Sequence, residues 1–242
     1  MNSEIQPSAP IPVDEPVRYF VPWRPIDNWI GVLLLVLIDG GLFLISVLGQ
    51  RGQLAQSGLL VLVQLTFLLP VIIIFAWRRI DWRAIGFGKF DWATLGLGCG
   101  LLIASYGIII VHNMILYGLG VTTQGEQISQ LFGMLDSPGW FFVVGAILAP
   151  LVEEIFFRGF LFQGFRAQFG WVKSMLLSSA IFGMAHLDPA ALIPTFILGC
   201  LLAFLYQRSN SVWPGVILHA LVNTVGLCSA YFLTQYPNLI PS

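Results

Sequence analysis

After residue 28 the chain alternates long apolar runs with short polar stretches. The runs lie at roughly 29–49, 58–77, 92–118, 138–165, 173–187, 190–207 and 212–234. A helix rises about 1.5 Å per residue, so a run of about 20 residues spans a hydrocarbon core of about 30 Å. The fifth run is the shortest and need not cross fully. Backbone polar groups in lipid must be bonded internally, which favours helices over open strands. The pattern predicts an all-α fold, a polytopic transmembrane helical bundle of about seven, at most eight, helices. Three regions follow from it: a Pro-rich tail with an interfacial segment at 1–28, N-terminal transmembrane helices at 29–118, and further transmembrane helices at 135–234.

Local signals sharpen several boundaries. Asp91 precedes the third run as an N-cap. Ser137-Pro138 and Asp188-Pro189 read as a cap followed by a first-turn proline, and Ser211 precedes the last run. Trp23 and Trp29, flanked by Arg18 and Arg24, suit the headgroup layer. The residues before them include Glu4, Asp14 and Glu15, where a signal peptide would be basic. No internal repeat is evident, which argues against an inverted-repeat transporter.

Composition agrees with the pattern. Of the 242 residues 57% are hydrophobic and 10% charged, and mean hydropathy is +0.85. Soluble domains carry about 25% charged residues, so this chain lacks the polar surface of a water-soluble globule. The net charge of -1 gives no electrostatic footprint for a nucleic-acid partner. Cys99, Cys200 and Cys228 lie in apolar runs and read as small packing residues.

Charge placement orients the bundle. With the N-terminus in the cytosol, that side holds Arg18, Arg24, Arg78, Arg79, Arg83, Lys89, Arg166, Lys173 and Arg208, and the outer side holds Arg51. The 119–137 stretch has acidic Glu126 and Asp136 and no Lys or Arg. The asymmetry predicts an integral membrane protein, assigned to the plasma membrane, with its N-terminus cytosolic.

Against this background a few polar residues stand out. Ionisable side chains inside a bilayer cost several kcal/mol, about 2.5 or more on insertion scales, and need partners or a wet cavity. Glu153, Glu154 and Arg158 sit in the fourth run. Glu154 and Arg158 are spaced i,i+4 with the acid first, the favourable order for a helical ion pair. Glu153 lies about 100° around the helix and needs another partner. Pro150 predicts a kink just before the pair. His186 ends the fifth run, and His219 and Asn223 share one face of the seventh. Measured from the cytosolic ends at 1.5 Å per residue, Glu153 and His186 lie about 20 Å deep, Asn223 about 18 Å and His219 about 12 Å. These depths are compatible with one layer. His112, about 30 Å deep by the same rise, falls outside it and reads as structural or interfacial.

A carboxylate beside an imidazole can activate water near neutral pH, and imidazole and carboxamide donors can stabilise an oxyanion. Together these are the parts of an amide hydrolase that needs no side-chain nucleophile. Glu153-Glu154-Ile155-Phe156-Phe157-Arg158 resembles the EExxxR motif of the CPBP family of CAAX-protease and bacteriocin-processing membrane peptidases. Phe182 to His186 resembles its FxxxH motif, and His219 to Asn223 its HxxxN motif. The resemblance covers roughly 135–230. It implies an intramembrane endopeptidase in which Glu153 and His186 activate water, His219 and Asn223 form the oxyanion hole, and Glu154 and Arg158 support them. Its substrate would be a peptide or membrane protein; nothing in the sequence identifies a prenyl pocket. Glu153, His186 and His219 also have the donor types for a divalent metal such as zinc with an open position. The metal-free route is the preferred expectation, and no cofactor is firmly implied. Two rivals remain: a non-catalytic scaffold or immunity-type protein, and a proton-coupled transporter supported by Asp39 in the first run.

Overall fold

In a computed structural model the described residues are 19–48, 61–133 and 138–236. They form eight helices: α1 Pro25–Leu48, α2 Val61–Arg78, α3 Trp92–Gly118, α4 Gln124–Gly133, α5 Gly139–Phe169, α6 Trp171–Ala185, α7 Leu192–Ser209 and α8 Trp213–Gln235. Six of them, all but α4 and α6, are long and apolar enough to cross a membrane. The expected count of seven is therefore approximate: α6 is the short fifth run, and α4 was not expected.

The core forms around α5, the most buried helix. Phe156, Phe157, Phe160, Leu161, Phe162 and Phe165 are fully buried. Around them lie Phe75 of α2, Phe182 of α6 and Tyr206 of α7. Phe156, Phe157, Phe160 and Phe162 thus pack inside the protein, not against lipid. By contrast α3 is largely exposed and apolar along its length, as suits a helix that faces lipid tails.

The basic end of the bundle is closed by specific contacts. Arg78 of α2 bridges buried Asp27 of α1 at 2.8 Å. The segment between α2 and α3 turns through a short 3-10 helix, Trp82–Ile85, and buries Ile85 completely. Gln163 donates to the carbonyls of Ala84 and Ile85, and the Tyr206 hydroxyl donates to Ile85. Gly86 has a φ of 93°, and a Cβ there would meet the Tyr206 hydroxyl and the Asn210 carbonyl, so only glycine fits. Trp23 is also part of this end. It is buried, and its indole N–H donates to Asn28 at 2.8 Å. Its ring packs into the protein core with its one donor satisfied, rather than standing open at the surface of this end. Trp29 remains exposed.

The sequence capping signals have mixed outcomes. Asp91 caps α3, accepting from the Thr94 N–H at 2.8 Å. Ser211 accepts from the Trp213 N–H at 3.3 Å. Asp188 does not cap α7. Its carboxylate accepts from Ala190 two residues on, and α7 begins only at Leu192, so Asp188-Pro189 forms a turn before the helix. Ser137 lies outside the described residues. α4 begins with a reciprocal cap, in which Glu126 accepts from the Thr123 N–H at 2.6 Å and Thr123 faces the Glu126 N–H at 3.4 Å. This is the Thr-x-x-Glu capping box, present in the sequence and missed there.

Candidate active site

The helix that carries the Glu pair is locally widened. It is π-helical over Val144–Leu148 and again over Ile155–Phe162, with an α-helical turn, Ala149–Glu154, between. The Ala149 N–H reaches back five residues to Val144. Pro150 has no N–H to offer, and a five-residue turn accommodates that gap inside the helix. The two glutamates end the α-helical turn, so both are presented between wide turns.

Glu154 is fully buried and central to an ion-pair network. Its Oε1 accepts from Arg158 at 2.7 Å and lies 3.2 Å from His219 Nδ1. Arg158, 1% exposed, also donates to the Gly199 carbonyl at 3.2 Å. Its guanidinium carbon lies 4.4 Å from the centre of the Phe182 ring, a cation–π geometry. Backbone closeness makes this possible. A Cβ on Gly215 would come within 2.5 Å of Glu154 Oε2, and one on Gly199 within 2.9 Å of the Ser179 side chain.

Glu153 is 6% exposed. Its Oε2 has no hydrogen-bond partner among the described residues and stands 3.8 Å from His219 Nε2. His219 therefore has a carboxylate at each ring nitrogen. Glu153 also lines a cavity of about 370 Å³ together with His186. His186 Nδ1 is 2.9 Å from the Phe182 carbonyl. A carbonyl can only accept, so Nδ1 carries the proton and Nε2 is left as an acceptor. Leu187, the next residue, has a left-handed φ of 52°, a conformation that costs a non-glycine residue about 1–2 kcal/mol. The chain thus reverses sharply straight after His186.

Four of the six expected residues, Glu153, Glu154, Arg158 and His219, are in direct sequence of contact. His186 joins Glu153 through the shared cavity. Asn223 stands apart: its side-chain amide donates to the Gly145 carbonyl at 2.8 Å and makes no hydrogen bond to the other five among the described residues. His112 bonds the Ala190 carbonyl at 3.0 Å and ties the α6–α7 turn to α3, the structural role expected of it. Among the described residues no three His, Cys, Asp or Glu side chains converge as a metal would require. Glu153, His186 and His219, which have the donor types for a metal, are not grouped that way. Two residues named in the sequence take places that the sequence did not assign them. Phe182 is one, its ring touched by Arg158 and lying edge-on to His186 at 4.9 Å and His219 at 5.7 Å between ring centres. Asp39 is the other: it lines the same cavity.

Comparison with known proteins bears on these same residues. Residues 136–225 match the family described as type II CAAX prenyl endopeptidase Rce1-like. Among curated proteins, the chain is 26% identical over 159 residues to the "Putative membrane peptidase YdiL" of Bacillus subtilis, covering 64% of each chain. It is 23% identical over 184 residues to the UPF0177 protein YxdF of Lactococcus lactis, covering 73% of this chain and 99% of that one. A second Lactococcus lactis protein, YaiF of the same UPF0177 group, is 28% identical over 148 residues. The match to YdiL thus spans less than two thirds of that protein's length. No solved structure matches the chain.

Proposed function

From a chain whose residues 136–225 carry the Rce1-like pattern, we propose an intramembrane endopeptidase that hydrolyses a peptide bond with water activated by Glu153 and His186. The observation that carries this reading is Glu153, whose buried Oε2 has no hydrogen-bond partner among the described residues and whose side chain lines a cavity together with His186. A desolvated carboxylate without a partner is a strong hydrogen-bond acceptor, and water is the donor such a cavity can hold.

In the proposed reaction Glu153 takes one proton of a water whose other proton points to His186 Nε2. The resulting hydroxide attacks the scissile carbonyl carbon, and the carbonyl electrons move to oxygen. The second N–H of Asn223 donates to that oxyanion, joined by His219 Nε2 when that ring carries a proton on both nitrogens, its Nδ1–H being directed to Glu154. Collapse of the tetrahedral intermediate breaks the C–N bond, and the proton on Glu153 passes to the departing amine. Glu154 and Arg158 act by position. The ion pair fixes the helical turn that presents Glu153, and Glu154 orients the His219 ring. The residues are used without a metal in every step.

The substrate is a peptide or a membrane-protein segment in extended form, because a helix hides its carbonyls in hydrogen bonds. The orientation proposed, on the distribution of basic residues, is N-terminus in the cytosol, and the membrane proposed is the plasma membrane. Proteomic comparison of membrane fractions from cells carrying wild type or Glu153→Ala tests the function. Uncut precursors accumulating in the variant are the expected result. Identical cleavage products in both would overturn the Glu153 mechanism.

A further inference from the structure

Two residues outside the motifs face the proposed site. Asp39 of α1 and Gln64 of α2 line the same cavity as Glu153 and His186. Asp39 accepts a hydrogen bond from Thr66 Oγ1 at 2.5 Å, so its carboxylate turns toward α2 rather than lipid. The Gln64 side-chain oxygen is buried and has no partner among the described residues. At 1.5 Å per residue, Asp39 and Gln64 each lie about 21 Å from the basic end of their helix, and Glu153 about 20 Å from Arg166. The three acceptors therefore share one layer. Leu42, Phe43 and Phe67 form apolar wall beside them.

Acceptors outnumber donors along this part of the cavity: Asp39 and Glu153 only accept when ionised, and Gln64 adds Oε1 beside its own amide N–H groups. Asp39, Gln64 Oε1 and Glu153 Oε2 all accept, and the last two are buried without a bond. Leaving buried acceptors unpaired costs free energy, so a ligand that brings donors is favoured over one that brings acceptors. A backbone N–H satisfies one acceptor. A lysine or arginine side chain satisfies two and neutralises Asp39, while its methylene stem lies along the apolar wall.

Building on the proteolytic reading above, we propose that Asp39 and Gln64 form a specificity subsite that seats a basic side chain of the substrate, Lys or Arg, close to the scissile bond. Asp39 touches the substrate cation, Gln64 accepts its remaining N–H, and Thr66 holds Asp39 in place. Glu153 stays available for water.

The test uses the full chain in liposomes and fluorogenic peptides with a ten-residue Ala/Leu frame, in which one Lys, norleucine or Glu is moved through every position. Wild type is expected to cleave the Lys peptide, at its best position, with kcat/KM about tenfold or more above norleucine, the size expected of one charge-assisted hydrogen bond. Asp39→Asn should remove that preference, bringing the ratio of kcat/KM for the Lys and norleucine peptides to near one. Asp39→Lys should invert it, favouring the Glu peptide, a gain that misfolding cannot produce. Equal loss of all three peptides in Asp39→Asn without inversion in Asp39→Lys, or no Lys preference in wild type, would overturn the subsite. Binding of the same labelled peptides to Glu153→Gln, with and without Asp39→Asn, separates the two claims. Lys-selective binding that depends on Asp39, with no cleavage by wild type, would keep the subsite and sink the protease. Cleavage retained in Glu153→Gln would sink the mechanism alone.

Discussion

Arg158 and Glu154 show what a single pair can hold in place. Each is at least 99% buried, and each has further partners: Gly199 and Phe182 for the arginine, His219 for the glutamate. Removing one member leaves the other charge stranded, which costs about 3–5 kcal/mol. Arg158→Ala should therefore lower the Tm of the purified protein in detergent by many degrees, whereas Glu153→Gln, whose Oε2 has no bond to lose, should leave Tm nearly unchanged. Thermal unfolding of the two variants side by side checks this. Phe182 is tested the same way. Its ring is fully buried and contacts Arg158, His186 and His219, so Phe182→Ala should cost about 3–5 kcal/mol and depress activity with it. At this scale the i,i+4 pair was legible because helical spacing alone fixes it. Asp39 was legible only as an anomaly, since nothing in the chain says that α1 and α2 bring it to the cavity of α5 and α6.

Among the elements, α5 and α4 carry the lessons. Pro150 predicted a kink; beyond that expectation, the helix widens on both sides of the glutamates. A proline states that one hydrogen bond is missing, not how the turn around it will adjust. α4 was hidden by a different cause. It is short and of low hydrophobicity, so an apolar-run reading passes over it, yet Thr123 and Glu126 announce its start. Thr123→Ala should destabilise it by about 1 kcal/mol, seen as faster amide exchange over 124–133 than in wild type. Asp91 offers a pH test. The Thr94 backbone N–H, and then the Thr94 hydroxyl, hold its carboxyl below the usual 3.8. A lowered folded value means that the cap's stabilisation is full above 3.8 and fades as pH falls through the folded value. The Tm gap between wild type and Asp91→Ala should thus be present at pH 7 and close at strongly acid pH; a gap that widened on acidification would contradict the cap.

For the whole molecule, a bundle of apolar helices follows from hydropathy because the bilayer constrains length and composition together, but the count does not: seven runs were expected, and six helices among the described residues are long and apolar enough to cross. How the helices sort around α5 does not follow, since apolar faces look alike in lipid and in a core. Orientation is open to a direct check. Lys89 and Gln127 are exposed at opposite ends of α3 and α4. With the N-terminus cytosolic, a membrane-impermeant thiol reagent added to intact cells should label Gln127→Cys and spare Lys89→Cys; the reverse pattern would invert the topology.

All of these converge on a partnerless carboxylate beside an imidazole, and the decisive measurement is peptide hydrolysis by purified protein in liposomes, wild type against Glu153→Gln. Loss of a general base typically costs about 10²–10⁴-fold in rate. A loss of kcat/KM in that range is expected, with Tm of the variant unchanged. Hydrolysis at the wild-type rate by folded Glu153→Gln would contradict it.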